Sequence, residues 1–330
     1  MSEAQDTRHA RHENAARLGP GRTCPLSYRY SPAVFRRDPE IVADTIYVIG
    51  GLYGNLEALA SVRALAAREP RPARLVFNGD FHWFDAAPDE FADVTRQVLE
   101  HHALRGNVET EIASEDTGAG CGCAYPLDVS DAEVSRSNEI LERLRDTARE
   151  FAPLRSRLAA LPMHLVASVG EARIGIVHGD AASLAGWGFA ADRLDNPAHR
   201  RWIESAFRDA CVDIFASTHT CLPAFREFAL DGGAAIVANN GAAGMPNFAG
   251  RRRGLVTRIG RTAFDGPEKI FGIQIRGVHV EALEIAYDHE RWVERFLASW
   301  PEGSPAHASY FRRIVEGPRF ALAQAMAPDP

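Results

Sequence analysis

Four residues of metal-binding type stand just past separate β-like runs of this 330-residue chain. Asp80 follows Leu75-Val76-Phe77-Asn78-Gly79, and Asn107 follows Ala103-Leu104-Arg105-Gly106. His178 follows a strand-like run at 172–177, and His219 follows another at 212–216. Taken singly, each has an ordinary explanation: Gly-Asp pairs form turns, and a histidine after a strand is usually structural. Taken together, two imidazoles, a carboxylate and an amide oxygen make a borderline N/O shell suited to one divalent transition ion, whether zinc, manganese or ferrous iron. In α/β sheets, ligands gather outside the carboxyl ends of strands, so four distant strand ends can aim four donors at one point.

Other chemistry-bearing residues lie close to these in sequence. Cys221 stands two residues beyond His219, where a thiolate could join the ligands as it does for zinc or iron; packing beside Pro223 is the plainer role. His82, in Phe81-His82-Trp83-Phe84-Asp85, could face the same cavity as Asp80 and act as a general acid or a replacement ligand, or could pack among the aromatic rings. Tyr53 could donate its hydroxyl to a substrate oxygen or simply fill space. Cys121-Gly122-Cys123 is a weak metal signal because the usual Cys spacing is wider. Folded over the site, it could form a thiolate pocket with Cys221, or act as a redox pair. Arg251-Arg252-Arg253 reads as a solvated turn or as a phosphate clamp through Arg252. Each ligating histidine needs an acceptor for its second N–H, for which Asp180 and Asp213 are candidates.

The elements that must position these groups alternate. Thr45-Ile46-Tyr47-Val48-Ile49 is a short β-branched run suited to a buried strand. A helix follows with Leu56, Leu59, Val62 and Leu65 on one face and Asn55 at its start. After the run at 75–77, a helix covers 89–99, and 103–105 is a third strand. Residues 113–130 form an irregular insertion; Ser130 and Glu133 then open a long helix that buries Val134, Leu141, Leu144 and Ala148. Further strands are expected at 163–168, 172–177, 212–216, 225–230, 234–238, 254–259 and 271–286. A helical tail with Trp292, Phe296, Leu297, Tyr310, Phe311 and Ile314 closes the chain. The expected division is a tail and lead-in at 1–40, a main domain at 41–288 carrying the insertion at 113–150, and a helical extension at 289–330. No internal repeat is present.

Composition narrows the function classes. Hydrophobic residues are 46% and charged residues 25%, enough apolar material for a large core. A net charge of −7 argues against a broad nucleic-acid-binding face. No apolar run approaches the roughly 20 residues that span a bilayer, and residues 1–17 are too polar for a signal peptide. Five cysteines form no small-domain disulfide framework, so the expectation is a cytoplasmic protein with reduced thiols. His9 and His12 are expected to be solvent-exposed in the tail.

From about residue 45 to 248 the chain resembles the calcineurin-like metallophosphoesterases. That family reads D-x-H, G-D, G-N-H-[DE], a lone H after a strand, then G-H-T-H. Gly79-Asp80 matches the second motif. Gly106-Asn107-Val108-Glu109 matches the third with Val for His, and Val177-His178-Gly179-Asp180 matches the fourth. Thr218-His219-Thr220-Cys221 matches the fifth, with Thr for Gly and Cys for the second His. Asn240-Gly241-Ala242-Ala243-Gly244-Met245-Pro246 resembles the N-P-G-S-x-G-x-P stretch of the bacterial phosphodiesterase-like branch. The first motif departs: Val48-Ile49-Gly50-Gly51-Leu52-Tyr53-Gly54-Asn55-Leu56-Glu57-Ala58-Leu59 looks like V-I-S-D-I-H-G-N-L-E-A-L, with Gly51 for Asp and Tyr53 for His.

The resemblance implies an α/β four-layer sandwich of two mixed β-sheets flanked by helices. It also implies which ion is lost. One family ion uses the positions of Gly51, Tyr53, Asp80 and Cys221, where three ligands are gone. The other uses Asp80, Asn107, His178 and His219, all present. The expectation is one divalent ion, with no second ion through the standard ligands. The implied function is hydrolysis of a small phosphomonoester or phosphodiester. Asn107 and the loop at Asn240-Gly241, with Asn55 and Arg252, would orient the phosphate, and Tyr53 or His82 would assist the charge. Val108 removes the family's usual aid to the leaving group. Two rivals remain: a non-catalytic metal- or nucleotide-binding regulator, and a metal enzyme of changed chemistry using Cys221 and the Cys121/Cys123 loop. The last 70 or so residues are expected to form a specificity cap or a surface for a homo-oligomer.

Overall fold

Alternation along the first strands decides the layering. In Thr45–Ile49, Ile46 and Val48 point to one side and Tyr47 and Ile49 to the other, and all four are buried. A strand buried on both faces needs a layer on each. The computed structural model describes residues 19–231 and 233–326. His9 and His12 lie outside the described residues.

In chain order the strands and helices are β1 Ile41–Ala43, β2 Thr45–Ile49, α1 Leu56–Ala66, β3 Arg74–Asn78, α2 Pro88–Val98, β4 His102–Leu104, α3 Asn107–Ala113, α4 Asp131–Arg149, α5 Ala152–Ala159, β5 His164–Val169, β6 Ala172–Val177, α6 Ala191–Leu194, α7 Arg200–Ala210, β7 Ile214–Ser217, β8 Ala224–Leu230, β9 Gly233–Asn239, β10 Gly254–Gly260, β11 Lys269–Ile275, β12 Val278–Ile285, α8 His289–Ser299, α9 Pro305–Glu316 and α10 Leu322–Ala325. Two six-stranded mixed sheets result, ordered β1-β5-β6-β7-β9-β8 and β11-β12-β10-β2-β3-β4. The inner layer joins Ile46, Val48 and Val76 to Ile174, Ile176, Ile214 and Ala216. Outside the second sheet, α1, α2, α4, α8 and α9 pack on Tyr47, Ile49 and Phe77. Outside the first, α7 and Phe35 pack on Val177, Phe215 and Val237. This is the expected four-layer α/β sandwich of two mixed sheets flanked by helices.

Helix starts follow local chemistry. Asn55 Oδ1 accepts from Ala58 N at 2.9 Å to cap α1. Ser130 accepts from Glu133 N and donates to its carboxylate at the head of α4. Several details differ from the sequence reading. The run at 271–286 is a hairpin, β11 and β12, turning at Arg276-Gly277 with positive φ at both. The short β1 and helices α3, α5 and α7 were not anticipated. Helix α4 buries Ile140, Leu141, Leu144 and Ala148 in the same core as α8 and α9, and Trp300 Nε1 donates to Phe84 O at 2.8 Å. Insertion and C-terminal helices therefore share one outer layer. Among the described residues, no helix is long and apolar enough to cross a membrane.

Candidate metal centre

Parallel strands β3, β6 and β7 end at the same edge of the two sheets, and the residues just past them meet there. Asn78 ties the sheets together: its Nδ2 donates to Val177 O at 3.0 Å, and its carbonyl accepts from His178 Nδ1 at 3.0 Å. With Nδ1 protonated for that bond, His178 presents a bare Nε2. The carbonyl of Cys123 takes the Nε2–H of His219 at 3.2 Å, so His219 presents a bare Nδ1. Asn107 Nδ2 donates to Cys121 O at 2.9 Å, which aims its Oδ1 inward. From His178 Nε2, Asn107 Oδ1 lies at 3.0 Å, His219 Nδ1 at 3.1 Å and Asp80 Oδ1 at 3.3 Å.

Four acceptors thus converge with no donor assigned among them, an arrangement that a cation stabilises. Ligands held about 2.0–2.2 Å from one ion stand about 3.0–3.5 Å from one another, so the spacing fits. Asp80, His178 and His219 are buried, with donor atoms within 4.8 Å of one another. The two histidines respond in opposite directions. Burial disfavours a charge on His178, but the Asp80 carboxylate and the Asn78 carbonyl outweigh it and hold the pKa above the usual imidazole value. Burial, with His178 alongside, pushes His219 down to about 3. The pocket thus attracts positive charge at His178 while His219 stays a neutral donor.

Glu109 organises the loops. Its Oε2 accepts from Asp80 N and Gly106 N, both at 2.8 Å, and its Oε1 accepts from His82 N at 3.2 Å. Val108 N, in the first turn of α3, donates to Asp80 Oδ1 at 3.2 Å, so the helix N-terminus supports the carboxylate. Tyr53, Asp80, His219 and Cys221 all have positive φ (56°, 51°, 36° and 62°), backbone strain concentrated around one cavity. Sequence reasoning gave Glu109 and Asn78 no role; Glu109 was visible as the last residue of the third motif.

Beside the four candidate ligands, Tyr53 and Cys221 pack against each other. A Cβ on Gly51 would lie 2.9 Å from Cε2 and Cζ and 3.0 Å from the hydroxyl of Tyr53. The hydroxyl is 3.0 Å from Cys221 Sγ. Burial, with the Cys221 sulfur and Asp80 nearby, raises the Tyr53 pKa well above its ordinary value, and burial pushes the Cys221 thiol up. Cys221 was expected among the ligands, but its sulfur stands outside the Asp80–His178–His219 group and pairs with Tyr53.

Several expected site residues lie elsewhere. His82 is fully buried between Asp85 (Nδ1 to Oδ2, 2.6 Å) and Thr95 (Nε2 to Oγ1, 3.1 Å) and stacks on Phe91, so no ring nitrogen reaches the cavity. Asn55 caps α1 and donates to Gly244 O. Asn240 donates to Gly50 O and Leu255 O, and Gly241 turns there with φ 70°. Arg252 donates to Val315 O, while Arg251 and Arg253 pair with Glu284. Asp180 binds the amides of Ala182, Ser183 and Gly188, and Asp213 binds Arg173 N. The histidines' second N–H groups therefore go to carbonyls, not to these carboxylates. Cys121 and Cys123 are joined as a disulfide, against the expectation of reduced thiols throughout.

The cavity over the centre is small, about 40 Å³. Its walls include Tyr53, Trp83, Tyr125, Trp187 and Tyr310, and among the described residues no lysine or arginine lines it. Trp187 Nε1 donates to the same Cys123 carbonyl as His219, 3.0 Å away.

The sequence model of the calcineurin-like phosphoesterases matches residues 42–241. Among solved structures, a hypothetical protein from Pyrococcus horikoshii OT3 is similar with a TM-score of 0.55 at 17% identity, covering 85% of this chain and 100% of that one. A metallophosphoesterase from Sphaerobacter thermophilus is similar with a TM-score of 0.52 at 16% identity, covering 83% and 100%. These two likenesses concern the fold. No curated protein matches the chain.

Proposed function

Since the chain belongs to the calcineurin-like phosphoesterase family, we propose that it is a phosphoesterase working with a single divalent transition ion held by Asp80, Asn107, His178 and His219. The observation that carries this reading is the contrast between four inward-facing acceptors on one side and the Tyr53 phenol filling the neighbouring ligand position on the other. A divalent ion bound there supplies Lewis acidity toward a phosphoryl oxygen and an attacking water.

The chain's own residues do the rest. Asn78 and Cys123 carbonyls fix the histidine tautomers. Glu109 and the α3 N-terminus hold the Asp80 carboxylate in place. Trp83, Tyr125, Trp187 and Tyr310 give the cavity aromatic walls. At roughly 10–15 Å³ per water, the cavity holds only a few waters. A phosphoester enters only when a wall moves.

Charge matching favours a diester. Counted alone, one divalent ion and the Asp80 carboxylate leave a net charge of about +1; no lysine or arginine is in the described lining, and Arg313 behind it donates to the Cys221 and Pro246 carbonyls. A monoanionic phosphodiester balances that charge; a dianionic monoester leaves an uncompensated buried charge, which is costly. The test is elemental analysis of the purified protein together with turnover of nitrophenyl mono- and diesters. One ion per chain with metal-dependent hydrolysis supports the proposal. Metal without turnover of any phosphoester would favour a binding protein instead, and a metal-free, inactive protein would end the reading.

A further inference from the structure

The Cys121-Gly122-Cys123 turn is built into the metal centre. Its two carbonyls orient two of the four candidate ligands, Asn107 through Cys121 O and His219 through Cys123 O. The Cys123 sulfur lies 3.6 Å from Asn107 Nδ2, and Cys123 lines the cavity beside Asp80, Asn107 and His219. The turn is also held from behind. Asn138 Oδ1 accepts from Cys121 N at 2.8 Å, and Gly122 N donates to Ala119 O at 3.1 Å. A Cβ on Gly122 would come within 2.4 Å of Tyr28 Oη and 2.9 Å of Glu111 Cγ. With the backbone pinned on both sides, opening the disulfide frees the sulfurs while the carbonyls stay in place.

We propose that Cys121–Cys123 is a thiol–disulfide switch on the metal centre, and that reduction adds Cys123 Sγ as a fifth ligand to the ion. The idea rests on the one-ion reading above. A cellular dithiol supplies two electrons and two protons; the S–S bond breaks, two thiols form, and the reductant becomes a disulfide. When Cys123 binds the ion, a metal–sulfur bond forms and the thiol proton leaves to solvent, because a coordinating thiol is deprotonated. Cys221 is the less suited sulfur, since it is engaged with the Tyr53 hydroxyl at 3.0 Å, whereas Cys123 Sγ lies against the candidate ligand Asn107. A thiolate softens an otherwise N/O shell and turns its preference from manganese toward zinc or ferrous iron.

Cobalt(II)-loaded full-length protein tests this, because thiolate ligation gives an intense near-ultraviolet charge-transfer band that an N/O shell lacks. The band is expected to be absent in the oxidised protein and to appear when a phosphine reductant is added. Cys121→Ser, which cannot form the disulfide, should show it without reductant. Cys123→Ser should lack it in both states, and Cys221→Ser should behave as the parent protein does. Reduced wild-type protein provides the same readout should Cys121→Ser fail to fold. Visible cobalt bands with no charge-transfer band in reduced wild type overturn the switch and leave the one-ion reading intact. A band that survives Cys123→Ser also overturns it. Cobalt that binds to none of the proteins overturns both.

Discussion

The Tyr53 ring stands where a side chain on Gly51 would have to go, with its Cε2 and Cζ 2.9 Å from the position of a Cβ there. Restoring the family's first acidic ligand alone therefore cannot rebuild a second ion site. Gly51→Asp meets the ring and carries the cost of a side chain at φ 63°, on the order of 1–3 kcal/mol. The expected result is a less stable protein that still holds one ion. The triple change Gly51→Asp, Tyr53→His and Cys221→His removes the ring and supplies the donors, so its metal content should rise toward two per chain. Elemental analysis after dialysis decides; a second equivalent in wild type would contradict the reading of a filled site.

The convergence of four acceptors makes the metal-free fold the less stable one. Zinc or manganese should raise the melting temperature of wild type, by an amount corresponding to about 2.7 kcal/mol at a hundredfold excess over the dissociation constant. Asp80→Ala and His219→Ala each remove an inward donor and should lose most of that response. Calorimetric scans with and without metal measure it. An equal rise in Asp80→Ala would place the stabilising ion elsewhere.

Glu109 acts on the centre only through Asp80 and its loops. Glu109→Gln keeps the shape but replaces one acceptor oxygen with a carboxamide NH2, a donor facing backbone N–H donors. A buried polar mismatch of this kind costs about 1–3 kcal/mol. Metal affinity is expected to fall as well, by roughly tenfold to a hundredfold, as for other residues that orient ligands. Isothermal titration with zinc separates the two effects; affinity unchanged in a destabilised protein would reduce Glu109 to a packing role.

The absence of lysine and arginine from the described cavity lining sets the expected substrate order. Bis(4-nitrophenyl) phosphate should be hydrolysed with a higher kcat/KM than 4-nitrophenyl phosphate, once each is divided by that ester's own uncatalysed rate. The mono-ester should gain on the di-ester as pH falls and its second charge is neutralised. A strong preference for the dianionic mono-ester would mean that cations outside this lining enter the site when the wall opens.

The candidate ligands were readable because each follows a strand end in a fixed motif order. The strand-borne positions needed no side-chain geometry. Legibility stopped where the chain left the strands. His82 was expected to share Asp80's direction at a spacing of two, but Asp80 has φ 51°, so the alternation of a strand is lost at that residue and His82 turns into the helix layer. The histidines' partners are backbone carbonyls, which every residue carries, so no residue type could mark Asn78 or Cys123. The roof residues Tyr125 and Trp187 come from segments without periodicity, and Tyr310 lies on a helix whose docking site the sequence does not state. Arg252 was singled out by charge alone, and its guanidinium is used to hold the last turn of α9 through Val315 O.

His164 offers a pH test independent of the metal. Its Nδ1 lies 3.1 Å from Arg37 Nη1, and its ring sits edge-on to Tyr30 and Phe35. Burial and the adjacent Arg37 guanidinium hold its pKa down to about 4. An unfolded chain binds this proton near pH 6.5. Between about 4 and 6.5 the unfolded state therefore carries a proton that the folded state lacks. The stability due to neutral His164 is fully present above about 6.5 and falls as pH drops through that window. His219 contributes with the same sign, because its pKa is also depressed, so the test is a difference. His164→Gln keeps an acceptor for Arg37 but does not titrate. Urea midpoints of the metal-free proteins at pH 7 and pH 5 should drop more for wild type than for His164→Gln. Equal drops would mean that His164 is protonated in the fold, with Arg37 turned away from it.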